Sequence, residues 1–240
     1  MGCAAASANG SVYVLGGYEQ KGGEWFDSST RTWQALPDMS VVRFLSAAAC
    51  IDGLVYVVGG YDANCLRSGE CYDPSTRQWS ALPDMSVARF GCAAACVNGS
   101  LYVVGGAFDK SAECFDPSTR KWQSLPDMSV ARLGCAAVSM EGVLYVVGGR
   151  SGKDSDTALA SAECYDPATR QWRALPAMSV ARYECAAECL EGCVYVVGGT
   201  NGSGDLASAE RYNPVTNAWS PLPSMLAPFV DGCSAAAVEM

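Results

Sequence analysis

The densest group of potentially reactive side chains is Cys185, Cys189 and Cys193, with three residues between successive thiols. As zinc ligands they lack the common two-residue spacing and a fourth partner. Cys185 also matches Cys92 and Cys135 in its surroundings, and Cys189 matches Cys50 and Cys96, so they belong to a repeated core. The run Gly148-Gly149-Arg150-Ser151-Gly152-Lys153 resembles a phosphate loop. It is one residue short between Gly148 and Gly152, lacks Ser or Thr after Lys153, and is followed by no helical pattern. The chain contains no histidine, which removes the usual general base, the usual metal ligand and any Ser-His-Asp or Cys-His nucleophile. An arginine (Arg43, Arg89, Arg132, Arg182) and a glutamate (Glu24, Glu70, Glu113, Glu163, Glu210) recur with the repeat, so they are expected to be structural polar partners. The expectation is a non-catalytic protein with no metal and no cofactor.

The elements that position these residues are copies of one unit. VYVLGG at 12–17, VYVVGG at 55–60, LYVVGG at 101–106 and 144–149, and VYVVGG at 194–199 are β-branched runs closed by two glycines. Such side chains suit a pleated strand, and the glycines suit positive φ or close passage beside a neighbour. Trp33, Trp79, Trp122, Trp172 and Trp219 follow, each with a methionine six residues on (Met39, Met85, Met128, Met178, Met225). Four residues later stands the arginine, replaced in the fifth unit by Phe229. Each unit resolves into four strands, exemplified by A at 91–96, B at 101–106, C at 112–117 and D at 121–125. Asn9-Gly10, Asp52-Gly53, Asn98-Gly99, Glu141-Gly142 and Glu191-Gly192 make two-residue A–B hairpins. This is an antiparallel meander repeated radially, a β-propeller blade. The tryptophans are expected to be largely buried, and Cys3, Cys92, Cys135, Cys185 and Cys233 to be buried and reduced.

The Gly-Gly pair, the strand-B Tyr, the Glu-x-Tyr-Asp-Pro-x-Thr-x-x-Trp run and the Met-x-x-x-Arg closure resemble kelch repeats. They are most similar to those of the BTB–BACK–kelch adaptors of cullin ubiquitin ligases. The expected fold is all-β, a kelch propeller of five four-stranded antiparallel blades forming a single domain. Blades span 1–42, 43–88, 89–131, 132–181 and 182–228, and an extra strand A closes the chain in 229–240. Six A strands against five each of B, C and D suggest a six-bladed propeller that is truncated, since exposed sheet edges are a liability; the alternative is a closed five-bladed ring with one spare strand A.

The second glycines at 17, 60, 106, 149 and 199 precede the glutamates at 24, 70, 113, 163 and 210 by 7, 10, 7, 14 and 11 residues. Every other segment is nearly constant. In a meander the B–C and D–A connections share one face, so all the length variation lies there. Loops on a rigid scaffold carry function. The resemblance implies ligand contact just after the Met-x-x-x-Arg motif, just after Gly-Gly, and in the B–C loop. Here those positions hold Phe44, Phe90, Leu133 and Tyr183; Tyr18, Tyr61, Ala107, Arg150 and Thr200; and Arg67, Phe108, Lys110 and Lys153.

The net charge of −9 argues against nucleic acid, because no basic patch is present to release counterions. No apolar run approaches the roughly 18 residues of a membrane span. Thirteen cysteines, an odd number mostly at equivalent positions, favour free thiols in an intracellular, cytoplasmic setting over a disulfide framework. The expected function is a protein–protein interaction module holding a peptide or partner on the variable face. A cullin-ligase link would require an upstream BTB segment. The alternative is a propeller enzyme or small-sugar binder using the same face.

Overall fold

The computed structural model describes residues 2–152 and 157–228. Blade 1 comprises β1 (Ala4–Ala8), β2 (Ser11–Leu15), β3 (Gly23–Asp27) and β4 (Thr32–Ala35). Blade 2 contains β5 (Ala47–Ile51), β6 (Leu54–Val58), β9 (Gly69–Asp73) and β10 (Gln78–Ala81), with the short pair β7 (Tyr61–Asp62) and β8 (Asn64–Cys65) in its B–C loop. Blade 3 is β11 (Ala93–Val97), β12 (Ser100–Val104), β13 (Ala112–Asp116) and β14 (Lys121–Leu125). Blade 4 has β15 (Ala136–Met140), β16 (Val143–Val147), β19 (Ala162–Asp166) and β20 (Gln171–Leu175), again with a small loop pair, β17 (Arg150–Ser151) and β18 (Thr157–Ala158). Blade 5 is β21 (Ala186–Leu190), β22 (Cys193–Val197), β23 (Ala209–Asn213) and β24 (Ala218–Leu222).

Each blade is a four-stranded antiparallel sheet in meander order, and the described residues contain no helix. The all-β, five-bladed expectation therefore holds. The sixth strand A, with Phe229 and Cys233, lies outside the described residues, as does Lys153. No helix among the described residues is long and apolar enough to cross a membrane.

Local chemistry accounts for the turns and the strand ends. Both central residues of every A–B hairpin have positive φ, as at Asn98 (49°) and Gly99 (76°), which matches the right-handed twist of the flanking strands. The Gly-Gly pair sits just past strand B. A Cβ on Gly59 would come within 2.5 Å of the Arg89 carbonyl oxygen in the next blade, and Gly59 and Gly60 have φ of 66° and 100°. Conformation and close approach thus both demand glycine.

The core is divided into four inter-blade layers. Tyr13 and Leu15 of blade 1 meet Val55, Val57 and Tyr72 of blade 2, and the same arrangement recurs between each later pair. Each unit thus buries its apolar face against its neighbour, as in other repeat architectures. Strands β1, β5, β11, β15 and β21 pack side by side in that order. They line a central cavity of ≈ 120 Å³ walled by alanines, Ser46, Cys92, Cys135 and Cys185.

The tryptophan expectation needs correction. Trp79, Trp122, Trp172 and Trp219 are only half-buried, and Trp33 is 52% exposed. Strand D is the outermost strand, so one side of its indole faces solvent. The ring instead bridges blades: Nε1 of Trp79, Trp122, Trp172 and Trp219 donates to the carbonyl oxygens of Pro37, Pro83, Pro126 and Pro176, each at 2.8 Å. Trp33 has no such bond among the described residues.

All cysteines among the described residues are free. Cys92, Cys135 and Cys185 are buried as expected, whereas Cys3 is only half-buried. Burial pushes the Cys92 thiol up from 9.0 to about 11 and Cys135 from 9.0 to about 12. Tyr102 and Tyr145 rise from 10.0 to about 12 by the same desolvation. Between pH 9 and 12 the unfolded chain releases protons that the folded chain retains, so stability must fall as pH rises. The urea midpoint is expected to drop steadily across this window, and a flat profile would contradict these burials.

Candidate functional site

The face built from the B–C and D–A loops is fixed by four copies of one buried staple. In blade 4, Arg132 is fully buried and uses all five of its N–H donors. Nη1 donates to the carbonyl oxygens of Gly148 (2.7 Å) and Ser161 (3.0 Å). Nη2 reaches Ser161 Oγ (3.1 Å) and Glu163 Oε1 (2.9 Å), and Nε reaches Glu163 Oε1 (3.1 Å). Glu163 Oε2 accepts from the Ser129 backbone N–H at 3.0 Å, tying down the loop that arrives from blade 3. Arg43–Glu70, Arg89–Glu113 and Arg182–Glu210 repeat the pair at 3.0, 3.1 and 3.2 Å. Glu24 has no such arginine among the described residues and is exposed. The staple immediately precedes Phe44, Phe90, Leu133 and Tyr183, so it sets the position of the candidate contact residues.

Those residues form a belt across the blades. Within a blade the backbone joins them: Phe44 bridges Tyr61, Leu133 bridges Arg150, and Tyr183 bridges Thr200, while the Ala107 N–H donates to the Phe90 carbonyl oxygen at 3.0 Å. Between blades the side chains join them. Tyr18 meets Phe44 edge-on with centroids 5.9 Å apart, and Tyr61 meets Phe90 likewise at 6.0 Å. The Arg150 guanidinium lies over Phe108 at 5.6 Å and over Tyr183 at 5.4 Å. Edge-on aromatic pairs and cation–π contacts each contribute about 0.5–1.5 kcal/mol, enough to hold the rings in place before any ligand arrives.

Tyr18 and Tyr61 remain 64% and 42% exposed; Phe44, Phe90, Phe108, Arg150, Tyr183 and Thr200 are half-buried. Two of the named residues fall outside this surface. Leu133 is 4% exposed, its Cδ1 lying where a Cβ on Gly91 would be 2.7 Å away, so it packs inward and offers no anchor. Arg67 is exposed but sits further out, where its carbonyl oxygen accepts from the Met85 N–H at 3.0 Å. Lys21 and Lys110 occupy the same slot in blades 1 and 3. Arg67 makes no ring contact among the described residues.

Inside the belt, hydrogen bonds circle the channel mouth. The Leu45 N–H donates to the Gly2 carbonyl oxygen, Gly91 to Leu45, Gly134 to Gly91 and Glu184 to Gly134, at 2.7–2.8 Å. Loop length also shapes the outer part of the face. The three longer B–C loops carry β7–β8, β17–β18 and a Thr200–Asp205 bridge. The two short loops carry no such pair. Among the described residues, no group of three or more His, Cys, Asp or Glu side chains is placed to hold a metal ion.

Comparison with known proteins agrees with this architecture. The kelch motif matches residues 1–40, 43–86, 88–129, 131–179 and 181–226. The chain therefore belongs to the kelch-repeat family. No curated protein matches the sequence. Among solved structures, one titled "Structure of YjhT" superimposes with a TM-score of 0.86 at 18% identity, covering 98% of this chain and 86% of that one. At that identity the likeness concerns the fold.

Proposed function

We propose that this protein is an interaction module that holds a peptide or protein segment against the belt running from Tyr18 to Thr200. The kelch propeller is a fold commonly used for protein–protein interaction. The observation that carries the reading here is the continuous aromatic belt on the one face whose loops vary in length. Aromatic and arginine side chains held in place by their neighbours suit binding hot spots, because little rotamer freedom remains to be lost. The Arg150 guanidinium packs against Phe108 and Tyr183, and a planar guanidinium suits a carboxylate or carbonyl. If an upstream BTB segment accompanies the propeller, the same face would read substrates for a cullin ubiquitin ligase, as its resemblance to those adaptors suggests. We propose no catalytic role.

The test compares partner capture from cell extract by the wild type, by Tyr61→Ala with Phe90→Ala, and by Ser75→Ala with Ser118→Ala in the opposite turns. Selective loss of a partner from the first variant alone is the expected result. Loss from the serine variant alone would place binding on the other face.

A further inference from the structure

A cavity of ≈ 210 Å³ opens between blades 1 and 2, lined by Asn9, Ser11, Tyr13, Trp25, Tyr72, Pro74 and Arg77. It lies at the A–B and C–D turns, opposite the aromatic belt. One lining residue departs from most copies of the repeat. Trp25 stands where blades 2, 3 and 4 carry Cys71, Cys114 and Cys164. In blade 2 Tyr56 stands opposite Cys71 across strands β6 and β9. In blade 1 the half-buried Trp25 ring lies parallel to Tyr13 instead, with centroids 6.1 Å apart and planes 15° apart. Tyr13 is 3% exposed, and its hydroxyl has no hydrogen-bond partner among the described residues.

The remaining lining joins the apolar surfaces of Tyr72 and Pro74 to the polar side chains of Asn9, Ser11 and Arg77. Arg77 forms no ion pair among the described residues; its one side-chain hydrogen bond there is a long one, from Nη2 to the Ala35 carbonyl oxygen at 3.4 Å. Asn9 and Ser11 add an amide and a hydroxyl. The nearest turn carboxylates, Asp27 and Asp73, are occupied by the Ser29 and Ser75 N–H and hydroxyl groups of their own turns and do not line the cavity. Burial raises the Tyr13 hydroxyl above its ordinary range, so it stays a donor at neutral pH. The volume is below the roughly 300–1,000 Å³ of sites for drug-sized ligands, which limits the occupant to a single ring system.

We infer that this cavity is a second binding site, taking a small planar aromatic ligand that bears a carboxylate. The ring would lie against Trp25 and the carboxylate would face Arg77 and the Tyr13 hydroxyl. Stacking on an aromatic face and planar pairing with a guanidinium supply the two halves of recognition.

The probes are 2-naphthoate and its neutral isostere 2-naphthamide, followed by ligand-observed NMR titration of the intact chain. Wild type should bind 2-naphthoate saturably and at least fivefold more tightly than the amide. Trp25→Cys, which installs the residue found in three other blades, should weaken naphthoate at least tenfold with an unchanged circular dichroism spectrum. Arg77→Gln, at an exposed position, should abolish the preference for naphthoate over the amide. Tyr61→Ala on the opposite face should leave naphthoate binding unchanged. The inference is overturned by absence of saturable naphthoate binding, by equal affinity for both probes in wild type, or by a Trp25→Cys variant that binds as wild type does. Loss of naphthoate binding in Tyr61→Ala would equally overturn it, by placing the probe on the belt.

Discussion

Arg132→Ala is expected to destabilise the protein by about 3–5 kcal/mol, because it strands the buried Glu163 carboxylate without its cation. All five donors of Arg132 are engaged, and the pair is almost wholly removed from solvent, at 0% and 2% side-chain exposure. For a chain of this length each kcal/mol shifts Tm by roughly 2–4 °C, so the loss should be plain in a thermal melt. Two comparisons separate this cause from simple loss of a large side chain. Replacing Arg132 and Glu163 together with methionine should cost less than the sum of the single losses, since neither charge is then left alone. Glu24→Gln, at the equivalent but exposed position, should stay within about 0.5 kcal/mol of wild type. Because blades contact only their neighbours, hydrogen exchange in Arg132→Ala should quicken first in the loops joining blades 3 and 4.

The second large effect is on binding. Tyr61→Ala or Phe90→Ala should weaken a partner captured through the belt by about 2 kcal/mol or more, roughly thirtyfold in Kd, as for buried aromatic hot spots. Each removes one member of a Tyr–Phe pair, so a double-mutant cycle should show the two losses to be less than additive. Leu133→Ala should behave differently. Its side chain is buried, so truncation should appear as about 2–5 kcal/mol of lost stability with binding of the folded fraction intact. A chain in which Leu133→Ala reduced affinity without reducing stability would contradict the placement of that side chain beneath the belt.

The fold was legible because its determinants repeat. Five Gly-Gly pairs mark where strand B must stop and pass beside the next arginine, and five Asn/Asp/Glu-Gly dipeptides mark the hairpins. The structural role of the arginine and glutamate followed from their recurrence with the scaffold rather than with the variable loops. Meander topology placed the B–C and D–A loops on one face, and the resemblance to kelch adaptors picked out Tyr18, Phe44, Tyr61, Phe90, Phe108, Arg150 and Tyr183 within them.

What sequence did not show are properties of depth and of pairing. Leu133 lies over Gly91 as Phe44 lies over Gly2, yet Leu133 is buried and Phe44 only half-buried, a difference of depth that the shared repeat position does not reveal. Trp33 and Trp122 also share a position, but burial of an outer-strand indole depends on the preceding blade that receives it. Arg150 was legible as a donor; its place between Phe108 and Tyr183 was not, because those residues come from three different loops. Trp25 shares its column with Cys71, Cys114, Cys164 and Arg211, a variation that acquires meaning only once the cavity beside Trp25 is seen.

The most direct test of the interaction face is hydrogen–deuterium exchange on the protein with and without a captured partner. Protection should concentrate in the segments around Phe44, Tyr61, Phe90, Phe108, Tyr183 and Thr200. The opposite turns at 73–77 and 116–120 should exchange equally in both states. Protection of those turns with an unchanged belt would contradict the assignment of the binding face.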